Sequence, residues 1–159
     1  MHRLSGEDAG FLVMERPEQP MNTQAVGILS LRRDADGTPR PFTIDDLRAH
    51  LAARLDDLPS FRWRIVPVPF GLHQPVAVRD PLFDLDAHLR TATVDAPGGP
   101  AELDALFAAL AERHLDRRHP LWQCTLVSGL AGDRQAIILK YHHCLADGVG
   151  AHTTFARVF

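Results

Sequence analysis

Residues 135–148, Gln135-Ala-Ile-Ile-Leu-Lys-Tyr-His142-His143-Cys-Leu-Ala-Asp147-Gly148, decide how this chain folds and where its chemistry sits. Ala136, Ile138, Lys140 and His142 alternate with Ile137, Leu139, Tyr141 and His143, which is the period-two pattern of a strand. Two adjacent histidines at a strand end leave toward opposite sides, so one of them faces a reaction site. Four residues later Asp147 is followed by Gly148, whose freedom of backbone angle permits a sharp return of the chain. Upstream, Leu121 to Leu130 forms a second β-prone run, joined to the first around Gly132-Asp133, and the pair reads as a hairpin.

Working further outward, strands and helices alternate. After an N-terminal turn region, Gln24 to Leu31 reads as a strand that ends in the turn Asp34-Ala-Asp-Gly37. Thr43 is placed as a helix N-cap with Asp45 and Asp46 in the first turn, followed by Ile44, Leu47, Leu51, Leu55 and Leu58 at helical spacing until Pro59. Phe61 to Val68 and Gln74 to Arg79 predict two neighbouring strands, with Leu85 to Val94 adding a third. Pro100 opens a helix that carries Leu103, Leu106, Phe107, Leu110 and His114 on one side. Val149, His152, Ala156 and Phe159 share a last helical face with no closing signal before the chain stops, the pattern expected of a fragment or of one piece of a split protein. These elements predict one domain of the α/β class, α+β type, over residues 1–159.

Composition excludes several roles. The chain has 159 residues and a formal net charge of −3 with its nine histidines neutral, so it presents no basic field to hold nucleic acid. Cys124 and Cys144 form neither a disulfide framework nor a CxxC pair, and the N-terminus has no apolar signal core, which points to a reducing cytoplasm. No apolar run approaches the ~20 residues that span a bilayer, so any membrane contact is expected to be peripheral. His142, His143 and Asp147 do not make a metal shell, because adjacent strand histidines diverge and neither an HExxH helix nor a cysteine set completes one.

The histidine pair suits transfer of an acyl group from a thioester to an alcohol. That reaction needs a base that takes the hydroxyl proton and returns it to the departing thiolate, and an imidazole exchanges protons near neutral pH. Three roles are open to Asp147: pairing with an arginine to fix the loop, accepting a ring N–H and setting a tautomer, or capping the last helix. His2, His50, His73, His88, His114, His119 and His152 receive no functional assignment. No GxSxG nucleophile elbow occurs.

The run from His142 through Gly148 matches HHxxxDG and resembles the signature of the chloramphenicol acetyltransferase-like superfamily of CoA-dependent acyltransferases and condensation domains. Two further segments resemble the wax ester synthase/diacylglycerol acyltransferase family: Asp8 with Phe11-Leu12-Val-Met-Glu15 and Pro20-Met21, and Leu115-Asp-Arg-Arg-His-Pro120-Leu121-Trp122. Asn22 stands where the family often has histidine, and Gln123 where it has an acidic residue. Leu121 and Trp122 are expected mainly to pack the core at a strand start.

The resemblance implies a mixed, largely antiparallel sheet flanked by helices, forming the N-terminal half of a bilobal fold whose C-terminal half is absent from this chain. It assigns the general base to His143, a supporting role to His142 and a loop-holding role to Asp147 and Gly148. It implies acyl-CoA as co-substrate without a permanently bound cofactor, and a fatty alcohol or diacylglycerol as acceptor, met in the cytoplasm or at a membrane or lipid-droplet surface. The alternatives are a half-domain that binds lipid or pairs with a second chain without catalysing anything, and a related acyltransferase with a polyketide, sugar or peptidyl acceptor.

Overall fold

The computed structural model describes residues 2–145 and Val158. Asp147, Gly148 and all of the expected last helix except Val158 lie outside the described residues. A hairpin forms the centre of the main sheet. Strands β8 (Trp122–Leu130) and β9 (Arg134–His142) pair antiparallel, turning at Gly132 and Asp133, both with positive φ. Strand β2 (Asn22–Ser30) pairs antiparallel along the whole of β9, and β7 (Leu89–Thr93) lies parallel to β8, which gives the order β2-β9-β8-β7. The sheet is therefore mixed and largely antiparallel, as expected.

Among the described residues, helix α2 lies on one face of this sheet and helix α3 on the other, and the alternation along β9 decides which side chain meets which. Helix α2 (Ile44–Ala52) begins at Thr43, whose hydroxyl accepts the Asp46 amide while the Asp46 carboxylate accepts the Thr43 amide. Its Leu47 and Leu51 pack with Trp122, Cys124, Leu126, Ile137, Leu139, Tyr141 and Val158. Helix α3 (Pro100–Ala111) covers the other face, where Leu103 and Leu110 meet Val127, Ala136 and Ile138. Lys140 and His142 continue that second row, both buried.

A smaller sheet packs at the histidine end. Strands β5 (Trp63–Val66) and β6 (Val76–Arg79) are neighbours, as expected, and pair antiparallel, and β1 (His2–Arg3) adds to β6; a two-residue ribbon of β3 (Arg32–Arg33) and β4 (Pro39–Arg40) lies apart. Helix α1 (Gly6–Met14) lays Ala9 and Leu12 against Ala77, Leu121, Cys144 and Leu145.

Several expectations are corrected. The N-terminal turn region is a short strand and then helix α1, capped by the Ser5 hydroxyl on the Asp8 amide. Its Val13 and Met14 are exposed, so the helix lacks the clean apolar stripe that periodicity detects. Helix α2 stops at Ala52, and Leu55 and Leu58 reach the core from turns. Residues 85–94 divide into a 3₁₀ turn (Leu85–His88) and β7, which joins β8 rather than the β5–β6 pair. His114 lies beyond the end of α3 and turns instead toward Pro17 and Glu15. Strand β9 ends at His142, leaving His143 in a 3₁₀ turn (His143–Leu145).

Candidate active site

Strand β9 ends between the two histidines, and each is held by a different neighbour. The His142 amide donates to Leu121 O at 2.9 Å on the β8 side, and the His143 amide donates to Met21 O at 2.9 Å on the β2 side. The turn is thus stitched to both neighbouring segments. Cys144 and Leu145 then bury their side chains under α1.

His142 is buried, at 1% exposure, and its ring state follows from one bond. Its Nδ1 lies 3.1 Å from the Cys144 backbone amide, which can only donate, so Nδ1 is the acceptor and the ring proton sits on Nε2. That Nε2 faces Glu15 Oε1 at 3.6 Å, too far for a hydrogen bond. Burial pushes the His142 imidazole down to about 4, with the Glu15 carboxylate opposing the shift only in part. At neutral pH it is an uncharged, oriented ring.

His143 is half-buried and differently held. Its ring stacks on Phe11 of α1, with centroids 4.8 Å apart and planes 22° from parallel, and Thr23 Oγ1 of β2 lies 3.0 Å from Nε2 and 3.3 Å from Nδ1. An imidazole fixed on one face by an aromatic ring and at its edge by a hydroxyl is suited to exchange a proton with a substrate hydroxyl. Its neighbour Cys144 is not set up as a nucleophile, because burial pushes that thiol up to about 12.

The family-marking segments converge physically on Glu15, whose side chain is 6% exposed. Its Oε2 accepts Arg117 Nη2 at 2.7 Å; its Oε1 accepts the Met21 amide at 3.2 Å and lies 3.3 Å from His114 Nδ1. Burial works against ionisation of this carboxyl, but the bonds from Arg117 and Met21 outweigh it and hold the group below its ordinary range. Arg117 also donates to Leu12 O at 3.0 Å. Asn22 donates to Arg113 O at 3.1 Å and ties β2 to the segment after α3.

His142 and His143 are therefore brought together with opposite environments, while Asp147 and Gly148 lie outside the described residues. Sequence reasoning gave no role to Thr23, Phe11, Glu15 or Arg117. Phe11, Glu15 and Arg117 stood in the family-like segments as markers, and those segments were the available signal; Thr23 carried none. Among the described residues no group of three or more His, Cys, Asp or Glu side chains is placed to hold a metal, and no helix is long and apolar enough to cross a membrane. Trp122 is 2% exposed and donates to Phe61 O at 2.7 Å, so it packs the core as expected.

Comparison with known proteins gives this geometry a context. Residues 4–159 match the family described as the wax ester synthase/diacylglycerol acyltransferase catalytic domain. A Mycobacterium tuberculosis protein that carries the name diacylglycerol O-acyltransferase is 43% identical over 161 residues, covering 100% of this chain and 33% of the relative. Another from the same organism is 39% identical, covering 99% and 33%. Among solved structures, a wax ester synthase/diacylglycerol acyltransferase from Marinobacter aquaeolei VT8 superimposes with a TM-score of 0.75 at 29% identity, over 99% of this chain and 36% of that one. The starter condensation domain of rhizomide synthetase shares the fold, with a TM-score of 0.67 at 17% identity, over 99% and 36% of the two chains. The chain spans about a third of the length of each of these relatives.

Proposed function

The chain belongs to the wax ester synthase/diacylglycerol acyltransferase family, and on that premise we propose that it carries the histidine side of an active site that moves a long-chain acyl group from acyl-CoA to the hydroxyl of a fatty alcohol or diacylglycerol. His143 is the general base. It takes the hydroxyl proton as the acceptor oxygen attacks the thioester carbonyl. The tetrahedral intermediate then collapses, the C–S bond breaks, and the same proton passes from the imidazole to the departing CoA thiolate. No covalent acyl-enzyme intervenes, a reading supported by the inert, buried thiol of Cys144.

The observation that carries the assignment is the asymmetry of the pair. His142 is buried, uncharged and committed at Nδ1 to a backbone amide, whereas His143 is half-buried with its ring edge beside a hydroxyl. Asp147 and Gly148 are proposed to hold the loop that follows. The remainder of a family-length protein, including its C-terminal half, is proposed to supply most of the CoA site and the donors that stabilise the developing oxyanion. Acceptor lipids reside in membranes or lipid droplets, so the proposal includes a cytoplasmic protein in peripheral contact with such a surface, and acyl-CoA as co-substrate rather than a resident cofactor.

The test is His143→Ala in the full-length protein, assayed with acyl-CoA and each acceptor class. Loss of a general base should lower kcat by roughly 10²- to 10⁴-fold with the fold intact. Near wild-type turnover would remove His143 from the reaction.

A further inference from the structure

We propose that Glu15 is a positioning residue of the reaction: its carboxylate orients the imidazole of His142 and the peptide of Met21, and through both it sets the path of the turn that presents His143. The inference rests on the reading of His143 as the base.

Glu15 reaches the turn by two routes. The first runs through the ring of His142. With Nδ1 accepting the Cys144 amide, the ring must carry its proton on Nε2, and the polar atom facing that N–H is Glu15 Oε1 at 3.6 Å. The other tautomer would set an Nδ1–H against the Cys144 N–H, donor against donor. A carboxylate beside Nε2 therefore favours the arrangement in which the Cys144 amide is satisfied and the 3₁₀ turn is closed. The second route runs along the backbone. Oε1 accepts the Met21 N–H at 3.2 Å, and the carbonyl of the same residue accepts the His143 N–H at 2.9 Å, so one residue lies between the carboxylate and the main chain of the base.

A purely architectural role, an ion pair clipping α1 to the loop before β8, is the simpler reading of the Arg117 contact. It accounts for Oε2, at 2.7 Å from Arg117 Nη2, but not for Oε1, which faces the Met21 amide, His114 and His142 together. Nor does a clip require the side chain to be 6% exposed, since Arg117 itself is 52% exposed. Arg117 anchors the carboxylate; the other oxygen is directed at the histidine turn.

The experiment uses the full-length protein labelled with ¹⁵N-histidine, comparing wild type, Glu15→Gln, Arg117→Gln and His143→Ala. Two readouts are taken: the imidazole nitrogen shifts and N–H couplings of His142, and the steady-state constants. Glu15→Gln should lower kcat about tenfold while KM stays within about twofold, because a positioning defect of about one charged contact appears in the chemical step. The His142 ring should lose its pure Nε2–H pattern. Arg117→Gln keeps the carboxylate but frees its Oε2, so it should shift the His142 pattern and kcat in the same direction by less. It also serves as the reporter should Glu15→Gln fail to accumulate as folded protein. A reduced kcat with the His142 pattern unchanged, in whichever variant folds, overturns the proposal in favour of the architectural role. A full wild-type kcat in Glu15→Gln, with His143→Ala inactive, overturns the positioning role alone. Activity retained by His143→Ala overturns the assignment of the base instead, so the two failures are distinguishable.

Discussion

Thr23 Oγ1 of β2 lies 3.0 Å from His143 Nε2, across 120 residues of sequence. The contact exists because β2 pairs with β9 in a register that sets Thr23 opposite Tyr141, one step from the strand end, so that its hydroxyl meets the first side chain of the turn. Phe11 covers one face of the same ring by stacking on it.

Thr23→Val keeps the β-branched shape that the strand favours and removes the hydroxyl. If the hydroxyl holds the base for attack, kcat should fall roughly 2- to 12-fold, the equivalent of one neutral hydrogen bond of about 0.5–1.5 kcal/mol. Steady-state assays of the full-length variant check this. An unchanged kcat would mean that Phe11 and the backbone suffice to place the ring.

The burial of His142 makes the fold acid-sensitive in a defined window. Unfolded, the imidazole takes up a proton near its ordinary 6.5; folded, it does so only at about 4. Between those values the unfolded chain binds more protons, so stability falls as pH drops from about 6.5 to about 4. His88, buried and stacked on Trp122, is also lowered by its burial and acts in the same direction. Urea midpoints measured across this range should decline for wild type and less steeply for His142→Gln. Equal slopes would show that His142 is not held uncharged.

Lys140 caps carbonyls at the end of α3 and just beyond it. Its Nζ donates to Leu110 O at 2.8 Å and Arg113 O at 2.7 Å, from a side chain only 3% exposed. Lys140→Met retains most of the stem but leaves both carbonyls without this partner, at an expected cost of roughly 2–3 kcal/mol in chemical denaturation. Burial, with the Arg113 charge adding to it, pushes the amine down to about 8 from 10.5, so its contribution to stability should rise as pH increases from about 8 to about 10.5. The Lys140→Met curve should be flatter over that interval.

Gly98 has φ of +71°, and a Cβ added there would stand 2.1 Å from Gly129 O, where β8 bulges against the loop before α3. Gly98→Ala should therefore destabilise the fold by roughly 1–3 kcal/mol through overpacking against backbone. Thermal unfolding gives the measurement, and an unchanged midpoint would mean that the loop can move away freely.

How much could be read in advance depended on the reach of each interaction. The Thr43–Asp46 cap, the helix beginning at Pro100 and the β8–β9 hairpin were legible because their causes lie within a few residues: a side-chain acceptor for an orphan amide, a preset φ, two residues that tolerate positive φ. The end of α2 at Ala52 was missed because Leu55 and Leu58 keep helical spacing while reaching the core from turns. Helix α1 was missed because its apolar residues are split between a buried and an exposed side. The contacts of Glu15 were invisible, since its partner Arg117 lies 102 residues away and no local period links them.

By itself, then, the sequence determined helices α2 and α3, the central hairpin, the histidine pair at a strand end and the family-like segments, all consequences of short-range geometry and residue chemistry. Only the tertiary structure decided what each histidine is. His142 is buried beside Glu15 with its Nδ1 committed to the Cys144 amide, while the end of β9, the register of β2 and the stacking of α1 leave His143 half-open beside a hydroxyl. Two identical side chains in adjacent positions differ in access and in bonding because the groups that cover and hold them come from segments distant in the chain.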